Sequence, residues 1–184
     1  MLKKGSIILT ALLAFGIQAA IAQTGADEEK SKKEKRAERL KESREKLVQL
    51  TKDSTLILEA NVLRNRYNHT FPATGNNFVL IDGDRVVLQT ASTATGRPGS
   101  NGLGGVTLRG RITGYEYDID NKGPIHIVAN VVFNGTGFAT LQINVSPDGY
   151  ATAIYRDNWG RRVTFSGSAE DPENSRVFEG MPVL

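Results

Sequence analysis

After Lys52 the chain is cut by turn signals into short runs that alternate apolar and polar residues. Asp82-Gly83-Asp84, Asn134-Gly135, Pro147-Asp148-Gly149 and Asn158-Trp159-Gly160 are the cuts. Such turns join antiparallel neighbours, and alternation gives each strand one apolar face. Leu56, Leu58, Ala60 and Val62 share a face of the first run, opposite Ile57, Glu59 and Asn61. Phe78–Ile81 and Arg85–Ala91 flank the first turn. In the next run Val106, Leu108 and Ile112 oppose Thr107, Arg109, Arg111 and Thr113, and Gly114 marks a bulge before Tyr115–Tyr117. Ile125–Phe133, Ala139–Val145, Tyr150–Arg156 and Arg161–Ser168 complete the set. Polar loops are expected at Arg64–Asn77 and Ser92–Gly105, and an irregular tail at Ala169–Leu184.

The expected fold is mainly β. It is an antiparallel meander of about eight strands, forming a small barrel or a two-sheet sandwich. One-sided apolar strands require closure or a second layer, and closure also removes exposed edges. Val128 and Val132, on the second face of their strand, suggest something packed outside it.

One charged α-helix precedes this body. Asp27 to about Lys52 contains no Gly or Pro and interleaves both charge signs. Its apolar residues (Ala37, Leu40, Leu47, Val48 and Leu50) fall in the second half. The rear is expected to dock on the β body, covering one end or one outer face, with the front solvated. The first 22 residues read as an export signal: Lys3 and Lys4, an apolar stretch from Ile7 to Ile17, then Ala20-Ile21-Ala22. Cleavage after Ala22 divides the chain into a leader (1–22), a charged helical segment (23–53) and a β domain with its tail (54–184). The product would be periplasmic or secreted and not membrane-spanning. The apolar stretch is short for a membrane span.

Composition removes several functions. There is no cysteine, so disulfides, thiol nucleophiles and zinc–thiolate sites are out. The chain carries 23 Lys and Arg against 20 Asp and Glu. Once the leader and the helix are set aside, the β domain holds 11 bases and 12 acids. A neutral domain argues against nucleic acid as a partner.

The runs Leu58-Glu59-Ala60-Asn61 and Asn77 through Arg85, then Gly102 through Gly105 leading into Val106 and Gly110, carry a resemblance. They resemble the domain of unknown function 4251 family over most of the chain after Asp53. The resemblance implies an exported protein of Gram-negative bacteria with a β-rich body. It implies no catalytic or binding residue.

Candidate chemistry is sparse. His69 and His126 are the only histidines, and nothing in their spacing makes a metal site. Asp118–Gly123 opens like a calcium loop but places Lys122 at a ligand position and Ala129 at the closing one. The glycines from 96 to 105 lack the lysine of a phosphate loop. Glu59 and Glu116 are the acids inside strands, the least implausible pair for hydrolysis. Tyr115, Tyr117 and Trp159 are the candidate ligand-binding residues, as an aromatic surface. No catalytic residue, metal or cofactor is expected. The favoured function is a non-enzymatic exported module that binds a small ligand, held inside a barrel, or an envelope component. The alternatives are a protein-interaction module using the helix, and a hydrolase whose acids are assembled by the fold. Ligand identity and oligomeric state are not legible.

Overall fold

A computed structural model describes residues 32–73, 76–91 and 103–182. The expected export leader (1–22) and most of the Ser92–Gly105 loop fall outside the described residues. The chain divides into two units, residues 1–42 and 43–184. Of the first, residues 32–42 are described; they are helical and exposed on every side.

In the second unit the strands are β1 (Thr55–Asn65), β2 (Thr70–Pro72), β3 (Phe78–Asp82), β4 (Arg85–Gln89) and β5 (Thr107–Ile119). They continue as β6 (Ile125–Phe133), β7 (Gly137–Val145), β8 (Tyr150–Asp157) and β9 (Arg162–Glu170). Each long strand pairs antiparallel with the next, and β9 returns to pair with β1. The result is a closed eight-stranded barrel, with β2 as an extra short strand on β1. The sandwich alternative is thereby replaced, and part of the expected loop 64–77 is strand. β1 serves two partners along one edge, β3 over its first half and β2 over its second, while its other edge runs the length of β9.

The alternating pattern sets the inside of the barrel, with one exception. Leu56, Leu58 and Ala60 point in, but the register shifts between Ala60 and Val62. This bulge inserts one residue and reverses the alternation. Leu63 therefore fills the interior, and Val62 is only partly buried, contrary to the sequence expectation. A second bulge lies between Ile112 and Gly114, where glycine marked it.

Eight strands enclose just enough room for side chains. Here Phe133, Tyr155, Phe165, Leu141, Ile127 and Leu63 fill it, all at most 3% exposed. Phe133 and Tyr155 meet edge to face at 5.8 Å. The expected ligand-holding interior is thus a packed apolar core. Gly167 admits the β1 bulge: a Cβ there would sit 1.9 Å from the Glu59 carbonyl oxygen.

The helix spans residues 32–52. Its last ten residues cover one end of the barrel. Leu47 is buried in the core, the Arg44 guanidinium donates to the Asp120 carbonyl at 2.7 Å, and Tyr115 Oη donates to the Thr51 carbonyl at 2.9 Å. Ser54 ends the helix in the left-handed region, and its carbonyl accepts from Gly83 N–H.

The tail after β9 is irregular, as expected, but it is bound. It forms a 3-10 turn at Pro172–Asn174 and then crosses the outer face of β1, β3 and β4. Val177 packs on the cluster of Ile57, Phe78 and Val87, as Leu80 does. Gln89, fully buried, anchors it: Nε2 donates to the Phe178 carbonyl and Oε1 accepts from Gly180 N–H. Glu179 bridges Arg85 and Arg109 at 2.9 and 2.5 Å. The outside packing hinted at by Val128 and Val132 is therefore found on other strands; both valines stay partly exposed.

A Gly167→Ala chain is expected to lose about 1–3 kcal/mol of stability, because the new methyl meets backbone rather than a yielding side chain. Urea unfolding measures this. An unchanged midpoint would mean the β1 bulge is not held as described.

Candidate functional site

The aromatic residues singled out from sequence lie at opposite ends of the barrel. Tyr115 and Tyr117 share a face of β5 at the helix-covered end, with ring centroids 6.0 Å apart. Tyr115 is partly buried, and burial pushes its phenol up to about 12. Trp159 sits at the other end, in the β8–β9 turn, and is 76% exposed. The three do not form one surface.

Trp159 has a different neighbour, the β1–β2 turn. Asn65 pairs with Val163, so both turns extend beyond the same rung of the barrel. The two are built alike. In the first, the N–H of Asn65 donates to the His69 carbonyl and that of Asn68 to the Asn65 carbonyl. Asn65 Oδ1 accepts from the N–H groups of Tyr67 and His69, both at 3.0 Å. In the second, the N–H of Asp157 donates to the Arg161 carbonyl and that of Gly160 to the Asp157 carbonyl. Asp157 Oδ1 accepts from the N–H groups of Trp159 and Arg161, at 3.0 and 2.9 Å. Asn68 and Gly160 occupy the matching left-handed position, with φ of 68° and 74°. A side-chain oxygen at the first position and a residue tolerant of positive φ at the fourth are what this three-residue hairpin requires.

The third position is unconstrained by the turn. It holds Tyr67 and Trp159, 63% and 76% exposed. The β7–β8 turn, at the helix-covered end, has the same backbone bonds between Ser146, Gly149 and Tyr150, yet its third position holds Asp148. The aromatics are therefore not demanded by the turn itself.

Both rings are fixed in place. The Arg66 guanidinium lies 4.6 Å over the Tyr67 ring and also reaches its hydroxyl. The Trp159 indole N–H donates to the Thr136 carbonyl at 3.3 Å. Beneath Trp159 the buried Asp157 carboxylate is paired with Arg161 and accepts from Tyr155 Oη at 3.0 Å. Burial, with this carboxylate second, raises the Tyr155 phenol to about 12. Phe138, 62% exposed, neighbours this turn on β7, since its carbonyl accepts from Asn158 N–H. The sequence reading missed this rim. Its signal was a repeat: Asn65-Arg66-Tyr67-Asn68-His69 and Asp157-Asn158-Trp159-Gly160-Arg161 share an Asx residue, an aromatic two on, an Asn or Gly, then a basic residue.

The acids do not converge. Glu116 and His126 are exposed diagonal neighbours on β5 and β6, whereas Glu59 lies on β1 and accepts from Ser175 Oγ at 2.5 Å. Asp120 spends its oxygens on the backbone of its own turn, accepting from Lys122 and Gly123, which holds its carboxyl below the usual range. Among the described residues no group of three His, Asp or Glu side chains could hold a metal ion. His69 stacks loosely on Tyr67, with ring centroids 6.3 Å apart.

Glu170 is raised, first by burial and then by the Glu59 carboxylate beside it. A raised folded value means stability that is present at acid pH and lost as pH rises through the titration. Glu170→Gln does not titrate, so it is expected to be slightly more stable than the parent at neutral pH, with the gain vanishing at acid pH. Urea midpoints at the two pH values check this. A variant less stable than the parent at neutral pH would contradict it.

No curated protein matches this chain. Among solved structures, a crystal structure of a DUF4251 family protein from Bacteroides eggerthii DSM 20697 is similar, with 30% identity and a TM-score of 0.59. The match covers 74% of this chain and 92% of that one. The family model described as domain of unknown function (DUF4251) matches residues 38–169, from within the helix to the last rungs of β9. With the model spanning most of the barrel and a solved member matched over nearly its whole length, the chain belongs to the DUF4251 family.

Proposed function

We propose that this chain is an exported, non-enzymatic module that associates with the cell envelope through the outer surface of its barrel. The observation that carries the reading is the pair of matched turns, each holding an aromatic ring in solvent at a position the turn leaves free. The filled interior supports a surface role over a carrier role, since Phe133, Tyr155 and Phe165 occupy the space an eight-stranded barrel could offer a small molecule. The separation of Glu59 from Glu116 and His126 weighs against the hydrolase alternative. A second reading, a partner-binding helix, draws on residues 32–43, which are exposed without exception.

Export rests on the leader pattern ending at Ala22. Expression of the full chain in a Gram-negative host, followed by cell fractionation and intact-mass measurement, tests the reading. The expected product begins at Gln23 and is recovered with the periplasm or the washed envelope. Recovery of the uncleaved chain in the cytosol would refute it.

A further inference from the structure

The neutral sum of the β domain hides an uneven spread of charge. At the end covered by the helix acids and bases are mixed: Asp84 pairs with Arg111 and Asp171 with Lys46, beside Asp82, Asp118, Asp120, Asp148 and Lys122. The opposite rim is one-sided. Arg156 and Arg162 face each other across β8 and β9, Arg64 lies near the end of β1, and Arg66 lies in the turn beyond it. All four are exposed, and among the described residues none forms an ion pair with an acid. Among the described residues the one acid of the rim is Asp157, which is buried and already paired with Arg161.

We propose that this rim docks on an anionic lipid bilayer, with Tyr67 and Trp159 entering the interfacial layer and Arg64, Arg66, Arg156 and Arg162 meeting lipid phosphates. The proposal rests on the envelope reading and names the partner. Guanidinium groups suit phosphate because their planar donors pair with its oxygens. Order along the barrel separates a bilayer from a nucleic acid. Tyr67 and Trp159 are at the turn tips, with Arg64, Arg156 and Arg162 on the strands behind them. A bilayer presents its layers in the same sequence: phosphates first, then the zone where Trp and Tyr rings gather. Phe138, exposed beside Trp159, extends the apolar tip. Rings fixed by Arg66 and by the Thr136 carbonyl keep the tip ordered before contact.

Vesicle co-sedimentation of the full chain tests this, comparing phosphatidylglycerol-containing vesicles with phosphatidylcholine alone. The N-terminal segment is common to every variant, so differences between variants report the rim. Binding should favour the anionic vesicles and weaken with salt. Arg156→Gln with Arg162→Gln should weaken it about five-fold per guanidinium removed. Arg156→Lys with Arg162→Lys should weaken it less than the glutamine pair does, because the charge is kept while the planar donors are lost. Tyr67→Ser with Trp159→Ser should weaken binding, whereas Tyr150→Ser, an exposed aromatic at the other end, should leave it unchanged. Variants are compared only where their thermal transitions match the parent, and Trp159 fluorescence should shift to the blue on binding. Equal binding to both vesicle types, rim variants that bind like the parent, or tighter binding to short duplex DNA that displaces vesicles would overturn the proposal. Because vesicles need no export, a cytosolic chain that still binds them would sink the envelope location alone.

Discussion

The pairing of β1 with β9 is the constraint on which the rest of this molecule depends. A meander of antiparallel strands has two open edges, and open edges invite pairing with other chains. Here the first strand takes the last along its length, from Ile57 opposite Glu170 to Asn65 opposite Val163. The seam is not uniform. The β1 bulge falls opposite Gly167, the residue whose missing side chain gives the Glu59 carbonyl its room. Closure also brings the β1–β2 and β8–β9 turns beside each other, so the aromatic and arginine rim is a consequence of the seam.

The two ends and the outer wall are finished by different means. At one end the last turns of the helix supply Leu47 to the core and a carbonyl to Tyr115. On the wall over β1, β3 and β4 the outward residues Ile57, Phe78 and Val87 would be an exposed apolar patch. The tail covers them, and Gln89 satisfies the tail's backbone groups from inside. A buried amide with all its partners fixes one position for the strap in a way that apolar contact alone would not. The family match ends at residue 169, so this strap lies beyond the matched region.

Much of this was legible in the sequence. Period two placed the strands, Gly114 marked its bulge, and the helix stopped where the apolar alternation began. The β1 bulge was not legible, because Ala60-Asn61-Val62-Leu63 satisfies two registers and only the partner strand decides between them. β2 was missed because three residues carry no period. The tail read as irregular, and it is; its binding depends on Gln89, which looks like any strand polar residue until its neighbours are known. Tyr115, Tyr117 and Trp159 read in the sequence as one aromatic surface, yet sequence distance says nothing about which end of a barrel a turn occupies. The twin turns were visible as a five-residue repeat, but their adjacency required the closed seam.

The barrel is closed and its interior filled, which is why the proposed role is placed on its surface. Native-state hydrogen exchange of backbone amides along β1 and β9 tests that most directly. A sound seam has these amides exchanging as slowly as those of β6 and β7, by global unfolding. Faster, local exchange confined to β1 and β9 would mean that the barrel opens along this line, and that its interior is accessible after all.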